Sequence, residues 1–154
     1  AGDGNSVIRT IGVKAADRAL EDVNEVWTQG DIDGGYAPDG TSANDPKLDK
    51  DGNQVVTRGL KYNAIQKVKA KQAGYLAETD WYIIRKADAG TAIPSNIQTW
   101  RNAIRSDATA IETAITNAAD MNAFIALHTD TYKTVDGKQV VDVVARINRW
   151  TELE

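Results

Sequence analysis

The sequence predicts a mainly α-helical fold with three to four helices and one or two small β-hairpins, and an α+β fold is the alternative. Three observations support this prediction. Apolar residues recur at helical spacing over long segments, and two Asp-Gly pairs stand beside apolar runs, as in hairpin turns. The chain has 154 residues, of which 42% are hydrophobic. This length and composition suit one domain with a core.

The most regular helical pattern begins after Pro94, a residue that fits the start of a helix because it has no N–H to leave unpaired. The apolar positions of this helix step by three or four residues and are Ile97, Trp100, Ile104, Ala108, Ile111 and Ile115. A second helix is predicted from about Arg58 to Glu78 and a shorter one from Ala118 to Leu127. The segment from Trp81 to Lys86 is expected to be a short connection.

A further helix is predicted from Lys14 to Gln29, where Leu20, Val23 and Trp27 have helical spacing and Gly30 follows as a stop signal. Residues 30–53 are rich in Gly, Pro, Asp and Asn, which favours turns. We expect this long loop to contribute little to the stability of a monomer and to become ordered mainly against a neighbouring subunit or protein.

The hairpin signals are Asp51-Gly52 and Asp136-Gly137, each separated by two residues from a following pair of valines. A type I′ turn is predicted at Asp51-Gly52, and strands are predicted on both sides of Asp136-Gly137. The segment from Val143 to Trp150 is compatible with a strand or a terminal helix. The predicted core consists of Leu76, Trp81, Ile97, Trp100, Ile104, Ile111, Ile115, Phe124 and Ile125.

Composition and charge divide the chain into an N-terminal helix with a Gly/Asp-rich extension (1–57), a helical core module (58–127) and a C-terminal hairpin with a tail (128–154). Net charge is −6 over residues 1–57, +5 over 58–86 and −3 over 87–154. The basic block is either a solvated lysine face or a surface complementary to an acidic one. The overall charge of −4 opposes a general affinity for nucleic acid or anionic membrane, so neither partner is expected.

Residue types that carry catalysis are sparse. The chain has no cysteine, one histidine (His128), and neither of the common glycine-rich phosphate motifs. Asp49, Asp51, Gly52 and Asn53 resemble part of a calcium loop, but Lys47 and Arg58 occupy two positions where that loop needs oxygen ligands. The sequence therefore predicts no enzyme activity, no cofactor and no metal site.

A clasp between helices is predicted around Asp80 and Trp81. Thr79 or Asp80 would cap the turn after the second helix, and Trp81 would fold back as a wedge between helices. Arg101 and Arg105 lie one helical turn apart, where both are expected to reach carboxylates such as Asp80. Among the four tryptophans, Trp27 and Trp150 are the candidate interface residues, since Trp is enriched where subunits meet.

Two segments carry a resemblance to a known family. The first runs Tyr75-Leu76-Ala77-Glu78-Thr79-Asp80-Trp81, and after Pro94 the second runs Trp100-Arg101-Asn102-Ala103-Ile104-Arg105. Together they resemble the module of tail fibre assembly proteins of tailed bacteriophages, and the continuation from Ala114 to Asp120 is similar to other proteins of tailed phages. The resemblance covers about residues 62–127.

The resemblance implies a non-enzymatic structural component of a tailed phage virion, located in the tail, baseplate or fibre attachment region. Its partners would be other virion proteins and further copies of itself. The alternative is an assembly chaperone that acts in the host cytoplasm and is not retained. Tyr82-Ile83-Ile84-Arg85 stands where many assembly proteins have a Pro-Asp turn, and this departure favours the virion component.

Overall fold

The structure is a computed structural model, and it describes residues 18–154. The prediction of a mainly α fold with small hairpins is confirmed, since this part of the chain forms five α-helices and two antiparallel sheets of two strands each. The helices are α1 (Gln29–Asp33), α2 (Leu60–Ala77), α3 (Asp80–Ala89), α4 (Ser95–Asn117) and α5 (Met121–Ala126). The strands are β1 (Val23–Asn24), β2 (Val56–Thr57), β3 (Thr131–Val135) and β4 (Lys138–Val143).

The chain divides into two compact units after Asn63. In the described part of the first unit, β1 pairs with β2 in antiparallel fashion, with Val23 opposite Thr57. Helix α1 begins at Gln29 because Thr28 and Asp31 form a reciprocal capping box. The Thr28 hydroxyl accepts from the Asp31 N–H at 3.1 Å, and the Asp31 carboxylate accepts from the Thr28 N–H at 3.0 Å.

The helix predicted from Lys14 to Gln29 is wrong over the residues that the structure describes, and residues 14–17 lie outside them. Val23 and Asn24 form β1, and the helix begins only at Gln29, so that Gly30 lies inside it. The physical reason is a partner distant in the chain. Pairing with Val56 and Thr57 gives the backbone of β1 its hydrogen-bond partners. The helical spacing of apolar residues reflects only residues a few positions apart and does not show such a distant partner.

Residues 30–53 form hydrogen bonds with other segments of the first unit, and their ordering against a neighbouring subunit or protein stays a prediction. The Lys47 N–H donates to the Glu25 carbonyl at 2.9 Å, and the Val55 N–H donates to the Lys47 carbonyl at 2.8 Å. The Gln54 side chain donates to the Glu25 and Lys47 carbonyls as well. A segment with little helix or strand still needs partners for its backbone N–H and C=O groups, and these hydrogen bonds provide some of them.

The second unit is built on α2 from Ala64 onward and on α3, α4 and α5. Helix α2 lies within two residues of its predicted ends, and α4 begins directly after Pro94 as predicted, whereas α3 replaces the expected short connection. The apolar row of α4 is buried as predicted, and Ile104, Ile111 and Ile115 are fully enclosed. Tyr75 of α2 meets Trp100 of α4 edge to face, with 6.5 Å between ring centroids.

The predicted core contains three residues that the structure does not bury. Trp81 is 50% exposed and Ile125 is 53% exposed, while Leu76 is half-buried. Trp81 lies on α3, a helix with no buried residue, and this is why a large apolar side chain remains at the surface. Ile125 follows Phe124, and adjacent residues of a helix point to different sides, so that only Phe124 turns inward.

The two Asp-Gly turns differ although their sequences are alike. Asp136 and Gly137 both have positive φ angles, 50° and 74°, as a type I′ turn requires, and they join β3 to β4. Of the pair Asp51-Gly52 in the first unit, only Gly52 has a positive φ, and the Asp49 carboxylate accepts from the N–H groups of Asp51 and Asn53. The type I′ turn predicted at Asp51-Gly52 is therefore wrong, although Leu48 and Gln54 do form an antiparallel bridge.

Beyond β4 the chain forms a single 3₁₀ turn, Arg146–Asn148, where the sequence left strand and terminal helix open.

Candidate functional site

The junction between α2 and α3 holds a buried polar cluster, which we call the Arg101 cluster and which consists of Leu76, Thr79, Asp80 and Arg101. Helix α2 ends at Ala77 and α3 begins at Asp80, so that Thr79 lies in the tight connection. Arg101 is in the second turn of α4, and its side chain reaches this connection. The elements that form the cluster are thus two helix ends and one helix face.

Arg101 has three oxygen partners in the cluster. One terminal nitrogen donates to the Thr79 hydroxyl at 2.7 Å and to the Leu76 carbonyl at 2.8 Å, and the other donates to an Asp80 carboxylate oxygen at 2.9 Å. Thr79 and Arg101 are buried, whereas the Asp80 side chain is half exposed. A charge of this kind is tolerated in the interior because hydrogen bonds to its two terminal nitrogens replace their hydration, whereas the buried Nε has no hydrogen-bond partner in the described part of the chain.

Thr79 acts differently from the predicted cap. It occupies the residue before α3, but its side chain makes no capping bond with that helix. The hydroxyl instead donates to the Leu76 carbonyl at 3.2 Å and accepts from Arg101. The Leu76 carbonyl belongs to the last turn of α2. The carbonyl groups of a last turn have no N–H donor within their own helix. The cluster therefore terminates α2 and ties its end to α4.

Trp81 and Arg105 do not join the cluster. The prediction of Trp81 as a wedge between helices is wrong, since its ring stacks on Tyr82 at 3.7 Å and the Arg85 guanidinium lies 4.9 Å from its centroid. Arg105 donates to the Asn102 side chain at 3.2 Å and forms no ion pair with Asp80. One helical turn displaces Arg105 by about 6 Å along α4 from Arg101, which explains why only Arg101 reaches the connection.

The two candidate interface tryptophans are half-buried within their own units. Trp27 lies in the first unit, with the Lys47 ammonium 4.8 Å from its ring centroid. Trp150 packs against Tyr75 with 5.3 Å between centroids, and its indole N–H donates to the Ile147 carbonyl at 3.0 Å. Tyr75, Trp100 and Trp150 thus form an aromatic group in the second unit, which the sequence did not indicate because Trp150 lies far along the chain.

Helix α3 presents an exposed apolar surface that the sequence analysis did not single out. Its members are Trp81, Ile83 and Ile84, and Ile84 is 67% exposed. None of the residues of α3 is buried. The sequence signal for this surface is the run Tyr82-Ile83-Ile84, which the resemblance marks only as a departure from the fibre assembly pattern. Neighbouring apolar side chains on one exposed helix are typical of surfaces that contact other proteins.

Three acidic residues of the first unit are held in the charged form by their neighbours. The N–H of Thr28, then its hydroxyl and Lys47, lower the pKa of Asp31 to about 2. The Gly59 N–H and Arg58 lower the pKa of Asp22, and the N–H of Asn53 lowers that of Asp49. Asp31 and Asp49 accept backbone hydrogen bonds from residues three or four positions away or nearer, whereas Asp22 joins its segment to Arg58 and Gly59, 36 and 37 residues further along the chain.

Residues 18–154 contain no group of three or more His, Cys, Asp or Glu side chains arranged to hold a metal ion. The helices in the same range are each too short or too polar to cross a membrane. His128, the single histidine, lies after α5 with its Nδ1 2.9 Å from the Phe124 carbonyl. Its ring packs on Phe124, at 4.6 Å between centroids.

Comparisons of the chain with family models, with curated proteins and with solved structures gave no match.

Proposed function

We propose that this protein is a non-enzymatic structural component of a tailed bacteriophage virion, in the tail, baseplate or fibre attachment region, and that it acts through contacts with other virion proteins and with copies of itself. The proposal starts from the resemblance of residues 75–81 and 100–105 to the module of tail fibre assembly proteins. The alternative is a fibre assembly chaperone, which the same resemblance supports.

The observation that carries the proposal is the Arg101 cluster. Thr79, Asp80 and Arg101 belong to the two segments of the resemblance, and they meet in one hydrogen-bonded group. Their residue types are therefore explained by the joining of α2, α3 and α4 rather than by chemistry on a substrate. A motif that builds a scaffold suits a protein whose role is to hold a shape and present surfaces.

Helix α3 supports the part of the proposal that concerns contacts. The cluster fixes the start of this helix, and the helix then exposes Trp81, Ile83 and Ile84. Aromatic and aliphatic residues at the centre of an interface provide most of its binding energy. Arg85 and Lys86 follow on the same helix and supply positive charge beside this apolar surface.

The test is mass spectrometry of purified particles from the source phage. A structural component is expected in a fixed ratio to the other virion proteins in every preparation. A chaperone is expected in the infected cell but absent from particles, or present in less than one copy per assembly site. Absence from purified particles would overturn the proposal in favour of the chaperone.

A variant separates the role of the α3 surface from protein stability. Ile84→Ser removes an exposed side chain from α3, and we expect particles to incorporate less of the variant while its unfolding transition is unchanged. Leu48→Ser is the matched control, because Leu48 is similarly exposed but lies in the first unit. Equal incorporation of both variants would exclude α3 as the contact surface.

A further inference from the structure

The hairpin formed by β3 and β4 is exposed on both faces. Every residue of the two strands is exposed, including Tyr132 at 60%. The other exposed apolar residues of these strands are Val135, Val140, Val141 and Val143. A two-stranded hairpin is marginally stable by itself in water, and apolar side chains on its surface favour association with a further strand.

The outer edge of β4 is the place where a further strand can add. The sheet has two strands, so that β3 occupies one edge of β4 and the other edge has no strand beside it within the described residues. The backbone N–H and C=O groups along such an edge are a template for another strand. The exposed run is Lys138-Gln139-Val140-Val141-Asp142, which carries one positive and one negative charge.

We propose that two copies of this chain pair antiparallel along the outer edge of β4, with Val140 of one copy opposite Val140 of the other. In this register Lys138 of each copy lies opposite Asp142 of the other, so the dimer gains two ion pairs related by two-fold symmetry. Lys138 and Val140 are two residues apart and share one face of the sheet. The Asp142 carboxylate reaches the same face, since it pairs with Lys133, which lies opposite Val140. Opposite charges facing each other across strands stabilise the pairing.

Asp142 already takes part in one ion pair within its own hairpin and can form a second with the other copy. Its carboxylate pairs with Lys133 of the same hairpin at 2.8 Å, and both side chains stay partly exposed. A carboxylate has lone pairs for more than one donor, so it can accept from Lys138 of the second copy as well. The register irregularity of the hairpin falls at Asp142, which the pairing skips because Tyr132 lies opposite Val141 and Thr131 opposite Val143, and the pairs from Lys138 to Val141 are regular.

Other arrangements of two hairpins lose the charge match. Parallel pairing in register places Lys138 against Lys138 and Asp142 against Asp142, which is repulsive. Antiparallel pairing shifted by two residues places Lys138 or Asp142 opposite Val140. Pairing of two β3 strands centred on Lys133 brings two lysines together. The charges therefore favour this register of the β4 pairing over these alternatives.

The dimer rests on the hairpin and its charges and does not depend on the virion proposal. A chain that dimerises but is missing from particles would overturn only the proposed function, and a monomeric chain found in particles would overturn only the dimer.

Complementary charge reversal tests the register, with sedimentation equilibrium of the full chain at low ionic strength as the measurement. Lys138→Glu replaces each ion pair by two facing carboxylates, and we expect the dissociation constant of the dimer to rise about tenfold. Lys133→Glu with Asp142→Lys keeps the pair within the hairpin in reversed polarity but places two lysines across the dimer, with the same expected loss. The control is Lys67→Glu, which makes the same change of charge at an exposed residue of α2 and is expected to leave the dimer unchanged.

Mixing the two hairpin variants gives the decisive result. In the mixed dimer the carboxylate introduced by Lys138→Glu faces the ammonium introduced by Asp142→Lys. The unchanged Asp142 of the first variant likewise faces the unchanged Lys138 of the second, so native mass spectrometry should show the heterodimer in excess over both homodimers.

The proposal is overturned by a wild-type chain that stays monomeric at the highest attainable concentration, or by hairpin variants that dimerise like wild type. It is equally overturned by a mixture that fails to form the heterodimer, or by Lys67→Glu weakening the dimer as much as Lys138→Glu.

Discussion

At the scale of single residues, Arg101 shows how a charge becomes part of the interior. The side chain is only 6% exposed, and it donates hydrogen bonds to a hydroxyl, a carbonyl and a carboxylate. Asp80, its ionic partner, remains half exposed to solvent. The two residues are therefore unequal, since loss of Arg101 removes every bond of the cluster except that between Thr79 and Leu76, and loss of Asp80 removes one.

This inequality predicts the outcome of a double-mutant cycle. Arg101→Ala should lower the free energy of unfolding by about 3 kcal/mol, because it removes buried hydrogen bonds and leaves a cavity. Asp80→Ala should cost about 1 kcal/mol, because an exposed carboxylate is well solvated. The double variant should lose about 1 kcal/mol less than the sum, since both changes remove the same ion pair.

The measurement is chemical denaturation of the three variants and the wild type. Arg105→Ala combined with Asp80→Ala is the matched control, and this pair is expected to be additive because Arg105 contacts Asn102 instead. A coupling between Asp80 and Arg101 no larger than that of the control pair would show that the ion pair adds nothing to stability.

At the scale of elements, two glycines differ in whether their backbone needs a left-handed conformation. Gly74 lies inside α2, and a Cβ added there would meet no atom within 4 Å. Gly137 in the hairpin turn has a φ of 74°. The same substitution by alanine is therefore expected to act in opposite directions at the two sites.

Gly74→Ala should raise the free energy of unfolding by about 0.5 to 1 kcal/mol, because alanine loses less backbone entropy on entering a helix. Gly137→Ala should weaken the β3–β4 hairpin by about 1 kcal/mol, because an L side chain strains a left-handed backbone. Thermal unfolding reports the first change and amide hydrogen exchange of the hairpin reports the second. A destabilising Gly74→Ala would mean that the space beside α2 is occupied in solution.

At the scale of the whole molecule, the two units are held by different interactions. The second unit has the apolar row of α4 as its core, with Ile104, Ile111 and Ile115 fully buried. The described part of the first unit depends more on short loops and on carboxylates that accept hydrogen bonds, with Asp31 at its capping box. Acid should therefore affect the first unit before it affects the second.

The direction of this pH dependence follows from the pKa of Asp31. Because folding lowers that pKa from 3.8 to about 2, the charged carboxylate stabilises the folded state above pH 3.8, and the stabilisation is lost as the pH falls towards 2. The pKa values of Asp22 and Asp49 are lowered too, so they contribute in the same direction. We expect the first unit to lose stability over this acidic range.

An acid titration followed by the indole NMR signal of Trp27 measures the effect, with the Trp100 signal as the reference for the second unit. Asp31→Asn should be less stable than wild type at neutral pH and should change less on acidification. An identical pH dependence of wild type and variant would contradict the role assigned to Asp31.

Elements whose signal is local could be predicted from the amino-acid sequence. Helix α4 follows from apolar residues three and four apart, and the β3–β4 hairpin follows from Asp136-Gly137 between β-forming runs. Of the candidate site, the approach of Arg101 to Asp80 was predicted from opposite charge and from the helical spacing that puts Arg101 and Arg105 one turn apart, and Arg101 alone makes this contact. That Val23 forms a strand depends instead on tertiary contacts, because its partner Thr57 lies 34 residues away. The outward position of Trp81 depends on them as well, since the burial of a side chain is set by what packs beside its helix and not by its own hydrophobicity.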